Sequence, residues 1–517
     1  MSAVTKISEL SLARTWYLRC RLEHDDCEQG RDEAFYPMRL IDVRGPSPRL
    51  VLSEDLKEGL SESYATLSHR WSNFDDRFSL TRDNMSQYQT GISEEDISPT
   101  LRDAILVCQA LEVPYLWVDS MCIIQSGEGS LEDWQENGLA MSSIYANSLV
   151  NIAAETLDPE LGFIQHYTLA DLRTPTRFKM SESEFVILPV CIGNHIARPL
   201  ERRGWIVQEM LLAPRILRFG IGQMSWECTQ NPLACESFIS PHGRDQNRLR
   251  ELRREILRLQ LVPSILERND ADQSTFKLQE LWLDVVEAYS NCDLTFAEKD
   301  KFMAMSGIAS RVGELMQSEY IAGSFRNMLP RELLWKVEKQ GSFKKDAVHR
   351  WAVPAGTSNY RAPTWSWASL DKAIDFTQYI FHAKYPLLTE VLDAIVVRTH
   401  EENPYGPIQQ ADLIVRGNIT RLQWSPEKLD IILDAEKYKH SCWLDEDTTP
   451  QSSQLLFLEI QHASIYSSSP GADVYGVLLE EIDRDDDNVP RARRLGLMKI
   501  ELPESEMKQE LITLRLV

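Results

Sequence analysis

An apolar run that stops at a single acid constrains this chain most. Tyr115-Leu116-Trp117-Val118 leads into Asp119, and a second apolar run, Met121-Cys122-Ile123-Ile124, ends at Gln125. The first run reads as a buried strand, and residues just past the carboxyl end of such a strand are where α/β proteins meet ligands. Its surroundings have the matching rhythm. Tyr64-Ala65-Thr66-Leu67-Ser68 alternates and is β-prone, predicting a strand. Ser98-Pro99 then opens a segment in which Leu101, Ala104, Ile105, Val107, Cys108 and Leu111 recur at helical spacing. Proline is favourable just inside a helix start, and Ser98 is a suitable N-cap. Pro114 closes that helix. Trp134 to Tyr145 predicts another helix, and Leu149 to Ala154 a third strand. Strand, helix, strand, helix, strand predicts a mainly parallel sheet with covering helices.

The remaining segments divide the chain. Leu40-Ile41-Asp42-Val43 and Leu50-Val51-Leu52 read as short strands, as do Phe185 to Val190 and Arg215 to Phe219; Gly204 to Leu212 reads as a helix. Residues 244 to 290 and 298 to 338 are helical in pattern. Trp351 to Asp371 is aromatic and proline-bearing, and from about residue 390 apolar runs alternate with turns, predicting strands. The expected organisation is a lead-in segment over 1–34, an α/β domain over 35–235, a helical region over 236–345 and a β-rich region over 346–517.

At 517 residues the chain can bury a large core, and 43% apolar with 26% charged residues is ordinary for a soluble globular protein. The net charge of -23 argues against nucleic-acid or anionic-membrane binding, both of which need clustered Lys and Arg. No window reaches the roughly 20 apolar residues of a membrane span, and the N-terminus lacks the apolar stretch of a signal peptide. Nine cysteines without a Cys-x-x-Cys pair predict reduced thiols in the cytoplasm rather than a disulfide framework. No His-x-x-x-His or His/Cys knot predicts a zinc site, so no metal is expected. Phosphate-loop and Gly-x-Gly-x-x-Gly fingerprints are missing, as is a Gly-x-Ser-x-Gly elbow.

Four ordered blocks resemble fungal heterokaryon incompatibility (HET) domains. They are Ala65 to Trp71; Leu101 to Ile105 followed by Tyr115 to Gln125; Asp133-Trp134 through Met141 to Ser148; and Arg203-Gly204-Trp205-Ile206-Val207-Gln208-Glu209 with Leu211, Arg215 and Trp226-Glu227-Cys228. Downstream blocks at Asp300 to Ala309, Leu333 to Trp335 and Ala362 to Ser369 extend the likeness. His69 and Ser72 stand where the family usually has Tyr and Gly. The resemblance implies a role in fungal non-self recognition and programmed cell death, with other incompatibility proteins or self-association as partners and a small-molecule ligand. HET domains have also been likened to TIR domains, which have a flavodoxin-like parallel sheet; some of them cleave the nicotinamide–ribose bond of NAD with a glutamate. That likeness would make NAD a substrate rather than a resident cofactor. It nominates Glu209, four residues after Trp205 as in the TIR motif, as the catalytic carboxylate. Ser68, Trp71, Asp119 and Trp205 would then line the substrate pocket. HET genes also occur in natural-product clusters, so a cofactor-free biosynthetic enzyme of secondary metabolism is the second expectation, and a non-catalytic signalling scaffold the third.

The residues themselves admit plainer uses. Glu209 could tie its helix to the sheet by pairing with Arg203 or Arg215. Asp119 could cap the next helix. Cys122 reads as a buried inert thiol, and the tryptophans as core. His195 and His242, near the fourth block, read as ordinary surface histidines.

Overall fold

The computed structural model describes residues 10–56, 63–71, 78–156, 159–164, 176–180, 183–187, 200–220, 223–230, 234–235, 247–261, 271–338, 360–376, 385–425, 430–432, 440–445, 450–462, 471–503 and 511–517. Ser72, His195 and His242 lie outside them. Two compact units result, Met1–Ala271 and Asp272–Val517. Among the described residues no helix is long and apolar enough to cross a membrane.

The first unit is built on one sheet. Its strands are β1 (Arg39–Asp42), β2 (Arg49–Leu52), β3 (Tyr64–Ser68), β4 (Tyr115–Trp117), β5 (Val150–Ala154), the hairpin β6 (Thr176–Met180) and β7 (Ser183–Ile187), then β8 (Arg215–Gly220), β9 (Gln223–Cys228) and β10 (Ala234–Cys235). Among the described residues the hairpin pairs only with itself, and the others follow the order β10-β9-β8-β5-β3-β4-β1-β2. Its centre is parallel: β3 lies between β4 and β5, and β5 pairs with β8. The flanking strands are antiparallel. Every residue of β3, β4 and β5 is buried, as parallel strands covered on both faces require. The lead-in segment contains a helix, Ser11–Glu23, whose Ala13, Tyr17 and Cys20 are buried.

The helix Pro99–Leu111 forms as its sequence predicts. Ser98 accepts the Leu101 amide at 3.1 Å and Pro99 takes the first turn. Asp103, on its buried face, reaches a loop and accepts the Phe163 and Ile164 amides at 2.8 Å each. Gly162 precedes them at φ +76°, where an added Cβ would land on the Asp103 carboxylate. Gly162→Ala is expected to cost about 2 kcal/mol, from left-handed backbone strain and the displaced acceptor. A urea titration checks this, and an unchanged midpoint would refute it.

The second unit begins one residue into the helix Ala271–Ser290, follows with the helix Ala297–Met316 and continues into a large, mostly antiparallel sheet. Strand Ile408–Ser425 pairs with Gln454–His462, which leads through Gly471–Arg484 and Pro490–Pro503 to Leu511–Leu516, and this last strand pairs back onto Ile408–Ser425. The pairing therefore closes on itself, around a core that includes Trp424, Leu455, Phe457, Val474, Leu478 and Met498. The β-rich C-terminal reading holds.

Candidate functional site

The carboxyl ends of the parallel strands meet the helix Gly204–Leu212, and polar side chains gather there although the surroundings are apolar. β3 ends at Ser68. Beside it on β5, Asn151 is fully buried and donates Nδ2–H to Ser68 Oγ at 3.0 Å, while Thr66 donates to Asn151 Oδ1 at 3.2 Å. The Ser68 hydroxyl is thereby oriented to donate to Glu209 Oε2, with which it makes a short hydrogen bond. Glu209 is only 3% exposed. Burial pushes its carboxyl above the usual range; Arg203 and the Ser68 and Tyr145 hydroxyls oppose the shift, and the Asp119 charge adds to it.

A second group adjoins the first. Asp119 opens the helical turn Asp119–Cys122 just past β4 and accepts the Ser120 amide at 2.8 Å. Its other oxygen accepts the Trp71 indole N–H at 2.9 Å. Arg203 Nη2 lies 3.9 Å from Asp119 Oδ2, while Arg203 Nη1 donates to the His69 carbonyl. His69 Nδ1 lies 3.9 Å from Asp119 Oδ1. Burial, helped by the Glu209 and Asp119 charges, holds the Tyr145 phenol well above the ordinary range. Two acids, one guanidinium, one serine and one phenol thus share a corner that is buried at Ser68, Tyr145 and Glu209 and partly open at Asp119 and Arg203.

Of the residues singled out in the sequence, Ser68 and Glu209 touch, and so do Trp71 and Asp119. Trp205 is half-buried and packs edge-on against Trp134 at 6.2 Å. Among the described residues Glu209 makes no direct ion pair with Arg203 or Arg215, although the Arg203 charge still acts on its carboxyl. Arg215 turns to Glu28 at 2.6 Å, and Arg203 goes to His69 and Asp119, because both guanidiniums have closer acceptors. Cys122 is buried and its thiol is pushed up to about 12, consistent with an inert role. Trp117 is core, edge-on to Tyr145 at 5.7 Å. Asn151 was missed, although a lone amide inside the apolar run Leu149 to Ala154 is itself a signal. An open groove of about 950 Å³, lined by Glu33, Phe35, Tyr36, Arg39, Leu52 and Met85 among others, shares none of these residues.

The expectation of no metal-type cluster needs correcting. Cys20, His24, Cys27 and Cys228 bring their ligating atoms within 4.8 Å of one another. The local spacing Cys-x-x-x-His-x-x-Cys was visible; the distant Cys228 was not.

Residues 64–209 match the sequence model of the family described as heterokaryon incompatibility protein (HET). No curated protein and no solved structure matches the chain.

Proposed function

We propose that the HET domain of residues 64–209 serves non-self recognition and cell death by cleaving NAD, with Glu209 as the catalytic carboxylate. The match to the family ties the chain to heterokaryon incompatibility; the chemistry is our reading of the site. The observation that carries it is the buried Ser68–Glu209 contact at the carboxyl ends of parallel strands. In chain order the four parallel strands run 2-1-3-4, which supports a flavodoxin-like core. In such a core the ligand crevice opens between the first and third strands, here β3 with Ser68 and β5 with Asn151.

In the proposed reaction the bond between ribose C1′ and the nicotinamide nitrogen breaks. Its electron pair goes to nicotinamide, which leaves neutral. The ribose becomes an oxocarbenium ion, which the Glu209 carboxylate stabilises, as carboxylates do in glycoside cleavage. Water adds to C1′ and loses a proton, giving ADP-ribose. Trp71, held by Asp119, offers an aromatic wall, and Arg203 a cation for the phosphates.

The full chain, purified and also artificially clustered, should convert NAD to nicotinamide and ADP-ribose, as followed by chromatography. NAD left intact in both states would overturn the catalytic reading. The near-complete burial of Glu209 favours one other reading, a non-catalytic scaffold. In that case Glu209→Ala would leave cell death unchanged, while core changes such as Trp117→Ala would abolish it.

A further inference from the structure

Cys20, His24 and Cys27, from one short stretch, meet the distant Cys228 in the first unit. Cys20 lies in the last turn of the helix Ser11–Glu23, His24 is that helix's C-cap, and Cys27 closes the short turn Asp25–Cys27. Cys228 is the last residue of β9. All four ligating atoms lie within 4.8 Å of one another, and Cys228 Sγ is 3.4 Å from His24 Nδ1. The three thiols are buried and the imidazole is half-buried.

The backbone makes the cage. The His24 amide bonds the Cys20 carbonyl at 3.1 Å, and the Cys27 amide bonds the His24 carbonyl at 3.2 Å. These tight turns present three donors from eight residues. The Tyr17 ring packs edge-on against Trp226 at 6.3 Å, which seats the helix on β9 and aligns Cys228 with the other three.

Two buried arginines border the cluster. Arg215 is fully buried and donates Nε–H to Cys20 Sγ at 3.2 Å, with Glu28 on its far side. Without an ion the neighbouring Cys228 and Cys27 thiols and burial push the Cys20 thiol up, against Arg215; a bound divalent cation would supply the charge that holds the sulfurs as ligands. Buried Arg253, anchored on the Ala213 and Pro214 carbonyls, also interacts electrostatically with Cys27 and Cys228. Three thiolates, one neutral imidazole and a divalent ion carry a net charge of about -1, which nearby arginines offset. Such outer donors commonly accompany thiolate sites.

We propose that Cys20, His24, Cys27 and Cys228 bind one zinc ion in a structural site that clasps the N-terminal helix to the end of β9. Thiolate-rich tetrahedral sets select zinc, and four protein ligands leave no open position for catalysis. With zinc–sulfur bonds of about 2.3 Å, the sulfurs would stand roughly 3.8 Å apart, so the widest pairs need to close by at most about 1 Å. His24 and Cys228 are 204 residues apart. Both ends of the clasp fall outside residues 64–209, so the ion would bracket the HET-matched segment and join its flanks.

The test is elemental analysis of the full chain purified under reducing conditions from zinc-supplemented cells. One zinc per chain is expected. Replacement by cobalt should give the visible bands of tetrahedral cobalt and a near-ultraviolet thiolate charge-transfer band. Cys228→Ser should lose the metal, whereas His24→Cys, which completes a four-thiolate set, should keep it. Removing the ion with a chelator should lower the melting temperature by about 10 °C or more. A folded wild-type chain without zinc, or one with a Cys27–Cys228 disulfide under these conditions, would overturn the proposal. If Cys228→Ser does not fold, the metal content and cobalt spectrum of the wild-type chain decide.

Discussion

Replacing Arg494 with methionine is expected to lower the unfolding free energy by about 3–5 kcal/mol, the cost of leaving a buried charge without its partner. The Arg494 side chain is completely buried in the second unit. Its Nε donates to Asp445 Oδ2 at 2.7 Å and its Nη2 to Oδ1 at 3.1 Å. The same guanidinium donates to the Leu333 carbonyl at 2.5 Å and the Trp335 carbonyl at 2.6 Å, and it sits 3.5 Å from the centre of the Trp335 ring. One side chain therefore joins strand Pro490–Pro503, the loop at Asp445 and the irregular segment around Trp335. Burial holds the Asp445 carboxyl above its usual range even with Arg494 beside it. The pair is thus a weak stabiliser as a unit, yet costly to break from one side. Arg494→Met combined with Asp445→Leu should recover part of the loss, since only the two carbonyls then stay unpaired. Urea unfolding of the three variants measures this. A loss under about 1 kcal/mol for the single variant, as for an exposed pair, would refute the argument.

What the sequence made readable was whatever rests on local pattern. Ser98-Pro99 marked a helix start, the apolar runs at Tyr64, Tyr115 and Val150 marked strands, and all are found. Burial was readable in the apolar run Tyr115 to Val118; Tyr64 to Ser68 alternates, yet every one of its residues is buried, because the strand lies inside a parallel sheet. Asp119 at the end of a strand was also readable, because strand ends are set by the same pattern. Partner choice was not. Arg215 looked like a counter-ion for Glu209, six residues away, but β8 carries it to Glu28 and Cys20. Ser68 and Glu209 are 141 positions apart, and only the parallel pairing of β3 with β5 and the helix above them brings them into contact. The thiol cluster repeats the lesson. Cys20, His24 and Cys27 are neighbours in sequence, but a fourth ligand arrives only when β9 lies against the first helix. Long-range side-chain pairing depends on register and crossover, which local spacing does not encode.

Glu209→Gln is expected to cut NAD cleavage by about a hundredfold to a thousandfold, the usual effect of removing one preorganised electrostatic group, without destabilising the fold at neutral pH. The second half follows from the direction of its shift. Burial raises the Glu209 carboxyl in the folded chain above its value in the unfolded chain. The folded state therefore keeps its proton to higher pH than the unfolded state does. Stability falls as pH rises from the ordinary glutamate range through the raised folded value, and the deficit persists above it. Glutamine cannot ionise, so this pH dependence should flatten and the variant should melt at or above the wild-type temperature near neutrality. Catalysis runs the other way: only the carboxylate can stabilise an oxocarbenium ion, so the rate should climb with pH through the window in which stability declines. Ser68→Ala should push the carboxyl higher still, since the hydroxyl favours the charged form. It should move the rate profile toward alkaline pH while keeping much of the maximal rate. Thermal melts and nicotinamide release between about pH 4 and pH 8 cover the range that matters for a raised glutamate. If Glu209→Gln instead melts well below wild type at neutral pH, the acid is a structural charge held by Arg203, and the catalytic assignment loses its physical basis.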